Sequence, residues 1–256
     1  MCLIAFAYRL LPDYPLVLIA NRDEFYQRPS QTMSFWEDDP DILGGRDLEA
    51  GGSWLALHRD GRLAAVTNHR NGKARQTDAL SRGHLIRDYL ANTESAAEFS
   101  SKLRGQMDQY GGFNLLLGDQ QGLYYLSNRG GGYQALAPGL YGLSNAHLDS
   151  PWPKTEALKQ RLARYLEQQP SPDCDDLLPL MWHRETAANH LLPDTGISHT
   201  WEKLLSSCFI QSPELGYGTR ATTALLQHRD GRISISEQNF SAEGKEDHAS
   251  FTLATG

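Results

Sequence analysis

Cys2-Leu3-Ile4-Ala5-Phe6-Ala7-Tyr8-Arg9 and Leu16-Val17-Leu18-Ile19-Ala20-Asn21, with Arg22-Asp23-Glu24 following at once, are the stretches on which the fold of this chain turns. Between them lies Leu11-Pro12-Asp13-Tyr14-Pro15, whose prolines and Asp suit a turn. Residues 2–9 and 15–21 therefore read as the two strands of a hairpin that begins at residue 2. Both runs are apolar at nearly every position instead of alternating, the pattern of strands covered on both faces.

Three later segments repeat the strand, turn, strand form: Trp54 to Thr67 around Asp60-Gly61, Phe113 to Ser127 around Asp119 to Gly122, and Thr223 to Ser236 around Asp230-Gly231. The string His-Arg-Asp-Gly-Arg occurs at 58–62 and again at 228–232, a recurring hairpin solution and not a repeat array. Helical periodicity fills roughly 78–104, broken near Asn92-Thr93; roughly 154–168, with Leu158, Leu162, Tyr165 and Leu166 on one face; and roughly 173–184. Pro193 to Pro213 resists assignment. Strands come first, helices follow in groups and strands close the chain, so the class is α+β with antiparallel sheets. Two sheets packed face to face between helical layers, an αββα four-layer sandwich, bury strands that are apolar throughout. No Pro/Gly/Ser linker interrupts the chain, and one domain over 1–256 is expected.

The chain has 256 residues, 40% of them hydrophobic, and a formal charge of -7, with no concentrated stripe of Lys and Arg. Nucleic acid is thereby disfavoured as a partner. Three cysteines, Cys2, Cys174 and Cys208, are too few for a disulfide scaffold and lack C-x-x-C spacing, which suits a reducing cytoplasm. Arg9 and Asp13 interrupt the first apolar run before a secretory core could form, and no apolar run approaches the roughly 20 residues that span a bilayer. The nine histidines include no metal-ligand spacing, so no metal site is expected. The glycine pairs and triplet at 44–45, 51–52 and 130–132 lack the strand and helix setting of a nucleotide site.

Cys2 carries the most chemistry. Cytosolic removal of Met1 is favoured by a small second residue, and it would make Cys2 the amino terminus. An α-amine and a thiol on one residue supply a general base and a nucleophile together. Taken alone, a free Cys at a strand start is a small hydrophobe. Antiparallel pairing changes the balance by bringing the end of the second strand, with Arg22 and Asp23, beside the start of the first. Arg22 could stabilise a thiolate there and Asp23 could orient the amine.

Several motifs then occur in order: Met1-Cys2, Asn21-Arg22-Asp23-Glu24 with Arg28-Pro29 behind it, Gly51-Gly52-Ser53-Trp54, Val66-Thr67-Asn68-His69-Arg70, Phe113-Asn114-Leu115, Gly142-Leu143-Ser144-Asn145 and Tyr217-Gly218-Thr219-Arg220. In these the chain resembles the NRDE family, named for the tetrad, which includes the eukaryotic transport and Golgi organisation proteins. That family looks in turn like the choloylglycine-hydrolase branch of the N-terminal-nucleophile enzymes, amide-cleaving αββα sandwiches. The resemblance implies Cys2 as nucleophile, Arg22 and Asp23 as its electrostatic supports, Asn68 as an oxyanion donor, Asn145 as a positioner of amine and substrate, and Arg220 near the nucleophile. Arg22 and Asp23 are adjacent here, unlike the Arg and Asp of bile-salt hydrolases, which leaves the role of each open.

Two functions follow from the resemblance. One is intracellular haem binding and trafficking, with haem as cargo in an apolar pocket lined by Trp36, Trp54 or Phe113 and a haem-receiving protein as partner. The alternative is a Cys2-dependent amidohydrolase that needs no cofactor and cleaves the linear amide of a small N-acyl substrate. With Met1 retained, the amine is not on Cys2 and hydrolysis is blocked, so haem handling is the first expectation.

Overall fold

A computed structural model describes residues 2–72, 79–130 and 132–255. The opening hairpin is β1 (Cys2–Tyr8) and β2 (Leu16–Phe25), paired so that Cys2 faces Arg22 and Ile4 faces Ala20. Successive strand residues point to opposite faces, and both sets are used. Ile4, Phe6, Leu18 and Ala20 join the core between two sheets, whereas Leu3, Ala5, Val17 and Ile19 join a core beneath helices. The absence of alternation in the sequence reports this double coverage.

The remaining strands are β3 (Ser30–Phe35), β4 (Ile42–Asp47), β5 (Leu55–His58), β6 (Leu63–Asn68), β7 (Phe113–Gly118), β8 (Leu123–Ser127), β9 (Gly132–Ala135), β10 (Gly139–Leu143), β11 (Gln211–Ser212), β12 (Tyr217–Gln227), β13 (Arg232–Phe240) and β14 (Lys245–Ala254). One sheet runs β10-β1-β2-β12-β13-β14 with β11 paired to β12; the other is a meander from β3 to β9. All their pairings are antiparallel.

Helices α1 (Gly83–Leu90) and α2 (Ala96–Leu103) cover the outer face of the meander through Leu85, Tyr89 and Phe99. Helices α3 (Pro153–Gln168) and α4 (Cys174–Leu177) cover the outer face of the first sheet through Leu158, Leu162 and Leu177. Helix, sheet, sheet, helix is the expected αββα order. Among the described residues no helix is long and apolar enough to cross a membrane.

The break expected near Asn92-Thr93 falls in the connection between α1 and α2. Ser95 and Glu98 form a reciprocal capping box at the start of α2, which satisfies two of the helix's orphan N–H groups. The helix expected from 78 begins at Gly83, and residues 73–78 lie outside the described set. The helix expected over 173–184 is only α4 followed by a 3-10 turn at Leu178–Met181, since Pro179 has no N–H to continue it. The unassigned stretch 193–213 holds α5 (His199–Leu204), capped by Ser198, and β11. The two His-Arg-Asp-Gly-Arg strings do form the same turn. Gly61 and Gly231 have φ of 91° and 88°, each donates to the carbonyl of its string's His, and Asp60 and Asp230 accept from Arg62 and Arg232.

Candidate active site

Residues directly opposite in an antiparallel pair share a face, so Arg22 stands beside Cys2, pointing between the sheets. There its Nη2 donates to Asp47 Oδ2 at 3.1 Å and its guanidinium lies 4.4 Å over the Trp54 ring. Alternation turns Asn21 and Asp23 to the other face. Asn21 Nδ2 donates to the Cys208 carbonyl at 2.8 Å, and Asp23 Oδ1 accepts from Thr219 Oγ1 at 2.7 Å. The tetrad is thus split by the pleat: Arg22 serves the inter-sheet side of Cys2, and Asp23 serves the helical side.

Asp23 and Lys154 are both buried there. Burial pushes the Asp23 carboxyl up, and Lys154 is the charge that most opposes this. Burial pulls the Lys154 ammonium down to about 8, with Arg70 adding to the shift and Asp23 resisting it. Arg70 is closed by a buried ion pair, Nη1 to Glu202 Oε2 at 2.7 Å. Tyr217 is buried on the same side, its hydroxyl pushed well up by burial and by Asp23. The Cys2 thiol is pushed up mainly by burial, with Asp23 adding to this and Arg22 working against it.

On the inter-sheet side, Cys2, Arg22, Asp47, Trp54, Asn68 and Arg82 are among the residues lining a cleft of about 140 Å³. One wall depends on glycine: a Cβ on Gly52 would lie 2.3 Å from the Gly83 carbonyl carbon, so only bare backbone lets the loop before β5 meet the start of α1. Asp47 organises the floor, accepting from Arg22, from Arg28 Nε at 2.7 Å and from the N–H groups of Glu49 and Ala50. Burial raises the Asp47 carboxyl, but the bonds from Arg28 and the Ala50 N–H outweigh it and leave it below the ordinary carboxylate range. A depressed carboxylate stabilises the fold above its unfolded pKa and stops doing so as pH falls through its folded value. Asp47→Asn should therefore lower stability by about 1–3 kcal/mol at pH 7, with the difference shrinking toward pH 3. Urea titrations at both pH values check this; a gap that is constant with pH would contradict it.

A model of the family described as Transport and Golgi organisation 2 matches residues 1–242. The chain belongs to that family. The mouse Transport and Golgi organization 2 homolog is 32% identical over 257 residues, and the human homolog 33% over 260, with 93% of each chain covered. The Drosophila melanogaster protein of that name is 25% identical over 260 residues, 93% of this chain and 92% of its own. Among solved structures, a Caenorhabditis elegans N-acylethanolamine-hydrolyzing acid amidase ortholog aligns over 88% of this chain and 92% of its own, at 12% identity and a TM-score of 0.45. The C2A mutant of a conjugated bile acid hydrolase from Clostridium perfringens aligns over 100% and 94%, at 9% identity and a TM-score of 0.41. Likenesses that distant carry no argument about chemistry.

In this Transport and Golgi organisation 2 family member, Cys2, Arg22 and Asn68 line the one cleft, and Asp23 borders it while its carboxylate turns to the helical face. Asn145 does something else. Its Nδ2 donates to the Asn68 carbonyl at 2.9 Å, and its Oδ1 lies 3.3 Å from Ser144 Oγ and 3.4 Å from Arg70 Nη2. Its amide braces the ends of β10 and β6 together, and Ser144 Oγ donates to the Cys2 carbonyl at 3.2 Å. Arg220 is not a cleft residue. It occupies the bulge of β12 opposite β2 and donates to the carbonyls of Phe25, Tyr26, Arg28 and Phe240, pinning the connection that carries Arg28. The three aromatics expected around haem also separate: Trp36 and Phe113 lie beneath α1 and α2, and Trp54 lies between the sheets.

Sequence reading passed over Asp47, Arg70, Arg82, Lys154 and Thr219. Arg70 and Thr219 stood inside motifs already singled out, so the signal was present but unweighted. Lys154, one residue into α3 after Pro153, had no signal, because a Lys in a first helical turn is ordinarily solvated.

Proposed function

We propose that this protein is an N-terminal-cysteine hydrolase of an amide-type bond, active in the form from which Met1 has been removed. The observation that supports it best is the placement of Cys2 at the head of β1, with Arg22 beside its side chain and Asp23 behind its backbone. In the reaction, the free α-amine takes the thiol proton and the sulfur attacks the substrate carbonyl. The oxyanion forms beside the Asn68 side chain, a donor of the kind worth several kcal/mol to such a step. The C–N bond breaks as the leaving amine receives the proton, and water then attacks the thioester, releasing the acid and restoring the thiol. Asp23 orients the amine, and Asn145 holds the strand ends in register.

Haem carriage ranks second. The cleft at Cys2 is smaller than the roughly 300 Å³ at which pockets for drug-sized ligands begin, and its walls are charged. The deciding experiment is to establish the mature amino terminus of protein from its own cells by mass spectrometry, then compare it with Cys2→Ala on a panel of N-acyl substrates. Loss of turnover by about 10³-fold or more is expected in the variant. Retention of Met1, or equal turnover by both proteins, would refute hydrolysis, and a saturable Soret shift on titration with haem would then favour carriage.

A further inference from the structure

The cleft beside Cys2 holds guanidinium groups whose hydrogen-bonding capacity the protein does not use. Arg22 is 5% exposed, and its Nη1 is buried without a hydrogen-bond partner, although Nη2 is bonded to Asp47. Arg82, on the opposite wall, donates from Nε to the Gly112 carbonyl at 2.9 Å, and no carboxylate among the described residues pairs with it.

Two of the acidic groups lining the cleft are committed elsewhere: Asp47 is shared between Arg22 and Arg28, and Asp23 Oδ1 accepts from Thr219 on the far face. The third, Glu24, accepts the N–H of Phe25 and acts on Arg82 without pairing with it. A buried donor without a partner costs about 1–3 kcal/mol, so a site that keeps one is matched to something that arrives. A planar fork of N–H donors matches a carboxylate or a phosphate. Because the chain carries a formal charge of -7, its overall field does not attract anions, and any anion recognition must be local.

We propose that Arg22 and Arg82 form an oxyanion receptor beside the Cys2 thiol, so that the substrate carries a carboxylate or phosphate close to its scissile amide, as in an N-acyl amino acid. This rests on the hydrolase reading for the word substrate, but not for the receptor itself. Arg22 then has two tasks, flanking the sulfur and holding the anion, while Arg82 has only the second.

The test is protection of Cys2 from iodoacetamide, read by mass on the Cys2-bearing peptide at constant ionic strength. The probes are N-acetylglycine, its neutral analogue N-acetylglycinamide, and inorganic phosphate. The two anions should slow alkylation saturably and the neutral amide should not; whichever anion acts at lower concentration identifies the group. Arg82→Gln should weaken protection about tenfold, and Arg82→Lys, which keeps the charge but loses the fork, should recover only part of it. Equal protection by the amide and the anions, or unchanged protection in Arg82→Gln, overturns the receptor. Intact Arg82-dependent protection together with no turnover of any N-acyl compound leaves the receptor standing and removes hydrolysis instead.

Discussion

Glu202→Met should destabilise the protein by about 3–5 kcal/mol, the cost of breaking a buried ion pair from one side. Both partners are only 5% exposed. The loss falls on Arg70, whose guanidinium cannot discharge in any accessible pH range and would remain buried over Trp152 without its carboxylate. Thr195 would also lose its acceptor, since its N–H and Oγ1 both donate to Glu202 Oε1, at 2.8 and 2.6 Å. Arg70→Met should cost less, because the Glu202 carboxylate keeps the two donors of Thr195. The double variant, with Met facing Met, should recover most of the loss. Urea unfolding of the three proteins checks the order; equal single-variant costs, or a double variant as weak as Glu202→Met, would contradict it.

If the proposed hydrolysis holds, Asp23→Asn should reduce turnover by the Met1-free protein about 10²-fold or more, because the amine that Asp23 orients is the general base of the proposed reaction. Its effect on stability should be modest, because Lys154 can discharge where Arg70 cannot. With Asp23 neutral, the Lys154 ammonium loses the carboxylate that resists burial, so its pKa should move below its present value of about 8. A lysine depressed on folding leaves the unfolded state holding more protons between pH 8 and 10.5, so its contribution to stability rises with pH across that window, by on the order of 3 kcal/mol. The thiols of Cys2, Cys174 and Cys208, all pushed up by burial, act in the opposite sense nearby. The difference between wild type and Lys154→Met therefore isolates the lysine. A difference that is flat from pH 7 to 10 would show that Lys154 is solvated in solution.

Legibility in the sequence followed the range of the interactions. The opening hairpin, the Asp-Gly turns and the layer order were readable because each depends on neighbours or on strand alternation. The arrival of Arg22 and Asp23 near Cys2 also followed from the hairpin, but the seven residues between β1 and β2 leave the register open, so the pairing of Cys2 with Arg22 is a result of the structure. Edge strands were not readable. Strand β3 reads Ser-Gln-Thr-Met-Ser-Phe and β14 starts Lys-Glu-Asp-His, polar because an edge strand is incompletely covered. The segment 193–213 was opaque for a related reason: α5 has six residues, too few for a helical period to show, and is held by the Ser198 cap, the Arg70 pair and the packing of Trp201 and Leu204 against Tyr217 and Ile210.

Cys2 at the head of a doubly covered hairpin, with a charged tetrad arriving opposite it, was determined by the sequence alone, since apolar patterning and chain reversal are local properties. Strand alternation already sends Arg22 and Asp23 to opposite faces; only tertiary structure decided which charge network each of them meets there. Asp47 comes from the other sheet, Lys154 from a helix on the outer face, and Arg82 from the start of α1. Their distances to Cys2 are set by the packing of layers, and no spacing along the chain encodes that packing.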